Sequence, residues 1–240
     1  MNVRTTLIAT VAAACAVSRL GAQVGYDPHR SPYRDLRHTQ EITFFSGYYR
    51  AKADPARVAP ESGPMVGAHY QWRPSGPANL SVTLARVASQ RNVLDPEIPQ
   101  TCAASATTNC KLLGSYRWPL YFFDAGLALA LTGGRSFFRF VPEVKAGMGL
   151  VSDFHTQPDI GDFAFGTRFA FNWGAGIRWL PGGPYQLRAD LTNHLYSVKY
   201  PGSYYQFASD GSVIFPSTQS RSAWLNNPAF TIGVSYLFSR

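Results

Sequence analysis

The side chains able to do chemistry in this 240-residue chain are few, and their spacing decides most of them. His194 and Ser197 stand close enough in sequence to suggest a base and a nucleophile, which must come within hydrogen-bond reach to work. Their odd spacing, however, puts them on opposite faces of a regular strand. His69 and His155 have no evident serine partner, and His29 and His38 precede the first strand. Asp153, His155, Asp159 and Asp162 share one stretch whose carboxylates could take a calcium ion. Their spacing matches no EF-hand loop, and aspartate in a glycine-bearing loop is ordinary turn chemistry. The chain has no phosphate-binding loop, dinucleotide fingerprint or zinc ligand set. The expectation is a non-enzyme without cofactor or metal.

The elements that must position the charged residues are strands. From Arg168 to Tyr196 two runs alternate with period two across the turn Leu180-Pro181-Gly182-Gly183-Pro184. Phe169, Phe171, Trp173, Ala175, Ile177 and Trp179 share one face, opposite Arg168, Asn172, Gly174, Gly176 and Arg178. After the turn, Tyr185, Leu187, Ala189, Leu191 and Leu195 oppose Gln186, Arg188, Asp190, Thr192 and His194. Each strand therefore has one apolar side and one polar, partly charged side. Small residues and both signs of charge on the polar face, with tryptophans on the apolar one, suit a transmembrane β-barrel better than a secreted soluble β-sandwich.

The same alternation places further strands at 40–50, 64–73, 79–88, 118–131, 138–150 and 229–238. Pro142, on the outward face of the fifth, is expected to force a bulge or bend. The connections alternate between tight and long, and about eight strands in an antiparallel, up-and-down, all-β barrel account for all of them. A barrel of that size has an interior just wide enough to be filled by side chains. The inward Asp124, Arg139, Glu143, Lys145, Arg168, Arg178, Arg188 and Asp190 then need partners, because unpaired buried charge is costly. An ion-pair network filling the lumen is the expectation. The alternative is a narrow pore for small, possibly anionic solutes, lined by the arginines. Trp72, Trp173, Trp179 and Tyr185 are read as an aromatic girdle at the membrane interface.

Residues 1–22 read as a cleaved signal peptide, with Arg4, an apolar run from Leu7 to Val17 and a small-residue site at Leu20-Gly21-Ala22. Residues 23–39 form a periplasmic lead-in and 40–240 the barrel. Losing Arg4 and Arg19 with the signal lowers the formal net charge from +8 to about +6. The arginines are scattered rather than clustered, so anionic lipid headgroups are better partners than nucleic acid, for which no role is expected. Cys15 leaves with the signal. Cys102 and Cys110 remain in an exported chain, where a disulfide closing a small external loop is expected.

Gly174-Ala175-Gly176-Ile177-Arg178, Leu187-Arg188-Ala189-Asp190-Leu191 and Ile232-Gly233-Val234-Ser235-Tyr236-Leu237-Phe238 carry a family resemblance. The chain resembles small outer-membrane β-barrel proteins of the OmpA-like transmembrane-domain type, with no peptidoglycan-binding domain after the barrel. The resemblance implies residence in the outer membrane of a Gram-negative-type, diderm bacterium, with membrane lipid as a partner. It also implies that the barrel-assembly machinery reads Tyr236 and Phe238 as a C-terminal signal, although Ser239 and Arg240 follow them. The expected role is structural or one of surface interaction. The tyrosine-rich loop Tyr200–Phe215 is the expected contact surface, since tyrosine gives contact area at low entropy cost.

Overall fold

A computed structural model describes residues 31–102, 105–109 and 111–238. The expected signal peptide (1–22), Cys110 of the expected disulfide, and Ser239 and Arg240 lie outside these residues.

Eight long antiparallel strands carry the alternation: β1 (Gln40–Tyr49), β2 (Gly63–Ser75), β3 (Ala78–Val87), β4 (Leu120–Ala130), β5 (Phe140–Ser152), β6 (Thr167–Gly182), β7 (Tyr185–Lys199) and β8 (Ser222–Phe238). Each pairs with the next, and β8 pairs back onto β1 from Ala229↔Tyr49 to Phe238↔Gln40, so the sheet closes. Closure removes the free edges that a hydrocarbon environment would leave unsatisfied. Period-two alternation then sorts the side chains. Phe44, Val66, Val82, Leu127, Met148, Ile177, Leu191 and Ile232, one from each strand, point outward and are 44–66% exposed. Charged and amide side chains turn inward and are buried. An apolar belt surrounds a polar interior, which is the arrangement of an outer-membrane β-barrel.

The two ends differ. At one end β2–β3, β4–β5 and β6–β7 are joined by shorter connections, and the chain enters β1 and leaves β8 there. Register shifts fall at two of these turns, between Trp72 and Ser75 and between Trp179 and Gly182. Pro142, expected to force a bulge or bend, does not shift the register: the β5–β6 ladder runs through Pro142↔Ile177. Its carbonyl accepts from Leu131 N, so its missing N–H would face β4 just beyond the last β4–β5 pair, Glu143↔Ala130. The proline leaves its side of the pairing with Leu131 without a donor, yet the ladder keeps its register.

The described part of the lead-in, residues 31–39, carries a short strand. Tyr33–Asp35 pairs with Arg135–Phe137, within the β4–β5 connection. At the opposite end the four loops are long, and the one between β3 and β4 contains two small two-stranded pairings. Gln90–Leu94 pairs with Leu112–Arg117, and Thr101–Cys102 with Ser105–Asn109.

Candidate functional site

The inside of the barrel is built in layers. The lowest is centred on Arg188 of β7, which is 2% exposed. Its Nη1 donates to Glu41 Oε1 (2.6 Å) and Gln71 Oε1 (2.6 Å), its Nη2 to Glu143 Oε2 (3.0 Å), and its Nε to Asp190 Oδ2 (2.7 Å). Arg178 of β6 bridges the same two glutamates, to Glu41 Oε2 at 2.9 Å and Glu143 Oε1 at 2.8 Å. Lys145 holds the other oxygen of Asp190 at 2.8 Å. Three cations meet three carboxylates, and Gln71, Asn79, Gln186 and Ser235 fill remaining hydrogen-bond positions. Such balance is what lets a buried ionic cluster persist. Gly176 makes the room: a Cβ there would overlap Asp190 Oδ1.

Glu143, Lys145, Arg178, Arg188 and Asp190 are thus brought together. Three of the expected members are elsewhere. Arg139 falls in the turn before β5, with φ +70, so the alternation does not extend to it; it is exposed and donates to Pro181 O (2.7 Å). Arg168 sits at the loop end of β6 and donates to Ala164 O (3.1 Å), with no carboxylate within ion-pair distance among the described residues. Asp124 lies one layer above the cluster. Its Oδ2 is 3.6 Å from His194 Nδ1, beside a polar cavity of about 50 Å³ that His69, Thr83, Lys145 and Asn172 also line. His69 links the layers, with Nδ1 on Thr83 Oγ1 (2.8 Å) and Nε2 on Gln71 Oε1 (3.1 Å).

Above the cavity the lumen turns apolar. Phe122 packs 4.6 Å from the His194 ring and 5.4 Å from Tyr49, whose hydroxyl is hydrogen-bonded to that of Tyr196 at 2.8 Å. Phe165 meets Tyr196 edge-on at 5.7 Å. These rings continue into a hydrophobic core formed by the loops themselves, with Val58, Leu94, Phe163, Tyr204 and Phe215 buried in it. The loops form a dome. Asp54 Oδ2 accepts from the Tyr200 hydroxyl (2.9 Å), while its Oδ1 accepts from Ala59 N (2.9 Å). Arg91, 1% exposed, donates to Asp159 (2.8 Å) and lies 4.4 Å from the Trp118 ring and 5.1 Å from Phe163. Burial and the nearby Asp54 carboxylate hold the Tyr200 hydroxyl well above its ordinary pKa; burial and Asp159 do the same for Tyr204.

This dome revises one sequence expectation. Tyr200, Tyr204 and Phe215 are core residues of the dome, not a contact surface. Asp153 and Asp159 are occupied within the fold, by Trp118 Nε1 (2.7 Å) and Arg91, and no group of three or more possible metal ligands occurs among the described residues. His194 is buried inside, while Ser197 alternates to the outer face. Outside, Trp72, Trp179 and Tyr185 gather at the turn end with Tyr236, whose ring is 5.7 Å from that of Tyr185. Trp173 is not in that ring. It lies about 20 Å further along β6 at ~3.3 Å per residue, opposite Asn193, which is bonded to Asn226. Phe238 ends β8 opposite Gln40.

Sequence reasoning misses Glu41 and gives Gln71 and Gln186 no role in the cluster. The signal for Glu41 exists: Ile42 and Phe44 face outward, so Glu41 must face in.

No protein-family model matches the chain, and no curated protein does. Solved structures similar to it include the Escherichia coli Outer Membrane Protein W, 12% identical with a TM-score of 0.44, covering 85% of this chain and 100% of that one. Ail, the attachment invasion locus protein of Yersinia pestis, is 12% identical with a TM-score of 0.41, over 85% of this chain and 100% of that chain. A major outer membrane protein from Thermus thermophilus is 10% identical with a TM-score of 0.41, over 84% of this chain and 100% of that chain.

Proposed function

We propose that the chain is a closed outer-membrane barrel of a diderm bacterium that works through its folded dome rather than by transport. The observation that carries this reading is the double seal of the lumen. A charge-balanced cluster around Arg188 fills one layer, and the rings of Tyr49, Phe122, Phe165 and Tyr196 fill another. The loops are spent on a packed core, which a pore has no need of and a surface-presenting barrel does. In this reading the dome faces outward and stiffens the envelope or presents Ile160 and Phe207, 66% and 75% exposed, to a surface partner. Assembly machinery reads β8 through Tyr236 and Phe238.

Orientation tests the premise. Single cysteines at Ser209 in the dome and at Gly183 in a turn would be probed with a membrane-impermeant maleimide on intact cells. Labelling above the parent protein is expected at position 209 at once, and at 183 only after the outer membrane is permeabilised. The reverse order would remove the reading.

A further inference from the structure

The charged cluster closes the lumen from below, but it does not fill it to the turn end. A cavity of about 200 Å³ remains beneath Arg178, walled by the lead-in and by the β6–β7 turn. Five arginines are among its lining residues, Arg34, Arg37, Arg73, Arg139 and Arg178, with Asp35 and Glu41 as the acidic ones. Neither carboxylate cancels them. Asp35 pairs with Arg135 at 3.0 Å on the exposed rim. Glu41 already accepts from Arg188 and Arg178 through its two oxygens, with Gln186 Nε2 adding a bond at 2.6 Å.

Two of the arginines are held by backbone carbonyls. Arg73 Nη2 donates to Leu36 O (2.6 Å) and His38 O (2.7 Å), and Arg139 to Pro181 O. Among the described residues no carboxylate lies within ion-pair distance of Arg34, Arg37, Arg73 or Arg139. Arg178 is 7% exposed, and its Nε has no hydrogen-bond partner. A buried, partnerless donor on a charged group is costly and seldom left so in native structures. The rest of the wall mixes apolar Leu36, Leu180 and Leu237 with polar side chains, among them Gln71, Asn79 and Gln186.

We propose that this vestibule is a binding site for a small organic oxyanion, a carboxylate or phosphate ester on a short apolar body, entering from the turn end. The oxyanion would take the arginine fork groups, which match its geometry, and the apolar body the leucines. At about 200 Å³ the cavity falls below the ~300–1,000 Å³ of drug-sized sites, which fixes the ligand as small. The Arg188 layer above makes it a dead end rather than the mouth of a channel. The site stands apart from the dome and does not depend on the function proposed for it.

The test uses the full barrel folded in zwitterionic detergent, with arginine Nε–H groups observed by NMR. Phenyl phosphate is titrated against the parent protein, the Arg37→Gln/Arg139→Gln double variant and Arg37→Gln alone, with inorganic phosphate as a second probe. Saturable movement of the Arg178 Nε–H signal is expected, weakened roughly tenfold in the double variant, about the worth of one charge-assisted hydrogen bond. Both substituted residues are exposed, and the heat-modifiable gel band reports folding of each variant. A motionless Arg178 signal at millimolar phenyl phosphate would overturn the site, as would equal affinity in parent and both variants. Inorganic phosphate binding as tightly as phenyl phosphate would overturn the apolar half of the assignment.

Discussion

Replacing Arg188 with methionine removes four donated contacts at once while keeping most of the side-chain volume. Glu41, Glu143 and Asp190 would then face only Arg178 and Lys145, leaving one negative charge uncompensated in a layer where Arg188 is 2% exposed and Glu143 1%. Removing one partner of a buried ionic cluster costs about 3–5 kcal/mol. Urea unfolding from lipid vesicles, followed by tryptophan fluorescence, should show a loss of that size. Charge balance also predicts the remedy. Adding Glu143→Gln to Arg188→Met leaves two carboxylates on two cations, so the double variant should be more stable than the sum of single losses by roughly 2 kcal/mol, within the range seen for directly coupled residues. A single-variant loss under about 1 kcal/mol, or strict additivity, would refute the claim that Arg188 holds the cluster together.

Other perturbations follow from the same geometry. Gly176→Ala would push Asp190 off Lys145 and Arg188, and overpacking of this kind costs about 1–3 kcal/mol, readable in the same unfolding assay. Arg91→Leu leaves Asp159 buried without its partner, so the loops should become protease-sensitive while the heat-modifiable band survives, because the loss is confined to the dome. Tyr200 and Tyr204 have raised folded pKa values. Their contribution to dome stability is therefore complete below about pH 10, the unfolded tyrosine value, and is lost as pH rises from there through the folded values. Tyrosinate absorbance should show these two titrating after the exposed tyrosines, and Tyr200→Phe should make the dome less sensitive to alkali.

The barrel was legible because a strand's side chains have only two directions. Once Phe169, Phe171 and Ile177 are outward, Arg178 must be inward, and the partner strand places Arg188 and Asp190 beside it without any knowledge of the fold. The rule fails where the backbone leaves the strand. Arg139 follows the alternating pattern on paper, but a left-handed turn removes it from the lumen. The dome was invisible for a different reason. Val58, Leu94, Phe163, Tyr204 and Phe215 come from four loops, and no local period links them. A tyrosine-rich loop reads as a surface until its rings are seen to pack on one another. The vestibule was hidden in the same way, since Arg37, Arg73, Arg139 and Arg178 lie on separate segments that only closure of the sheet brings together.

The central claim is that the lumen is closed, and single-channel recording in planar bilayers tests it most directly. The folded parent protein is expected to leave the bilayer silent, since ions meet both the Arg188 cluster and the Phe122–Tyr196 rings. A steady, reproducible unit conductance from the parent protein would contradict the account and restore the arginine-lined pore.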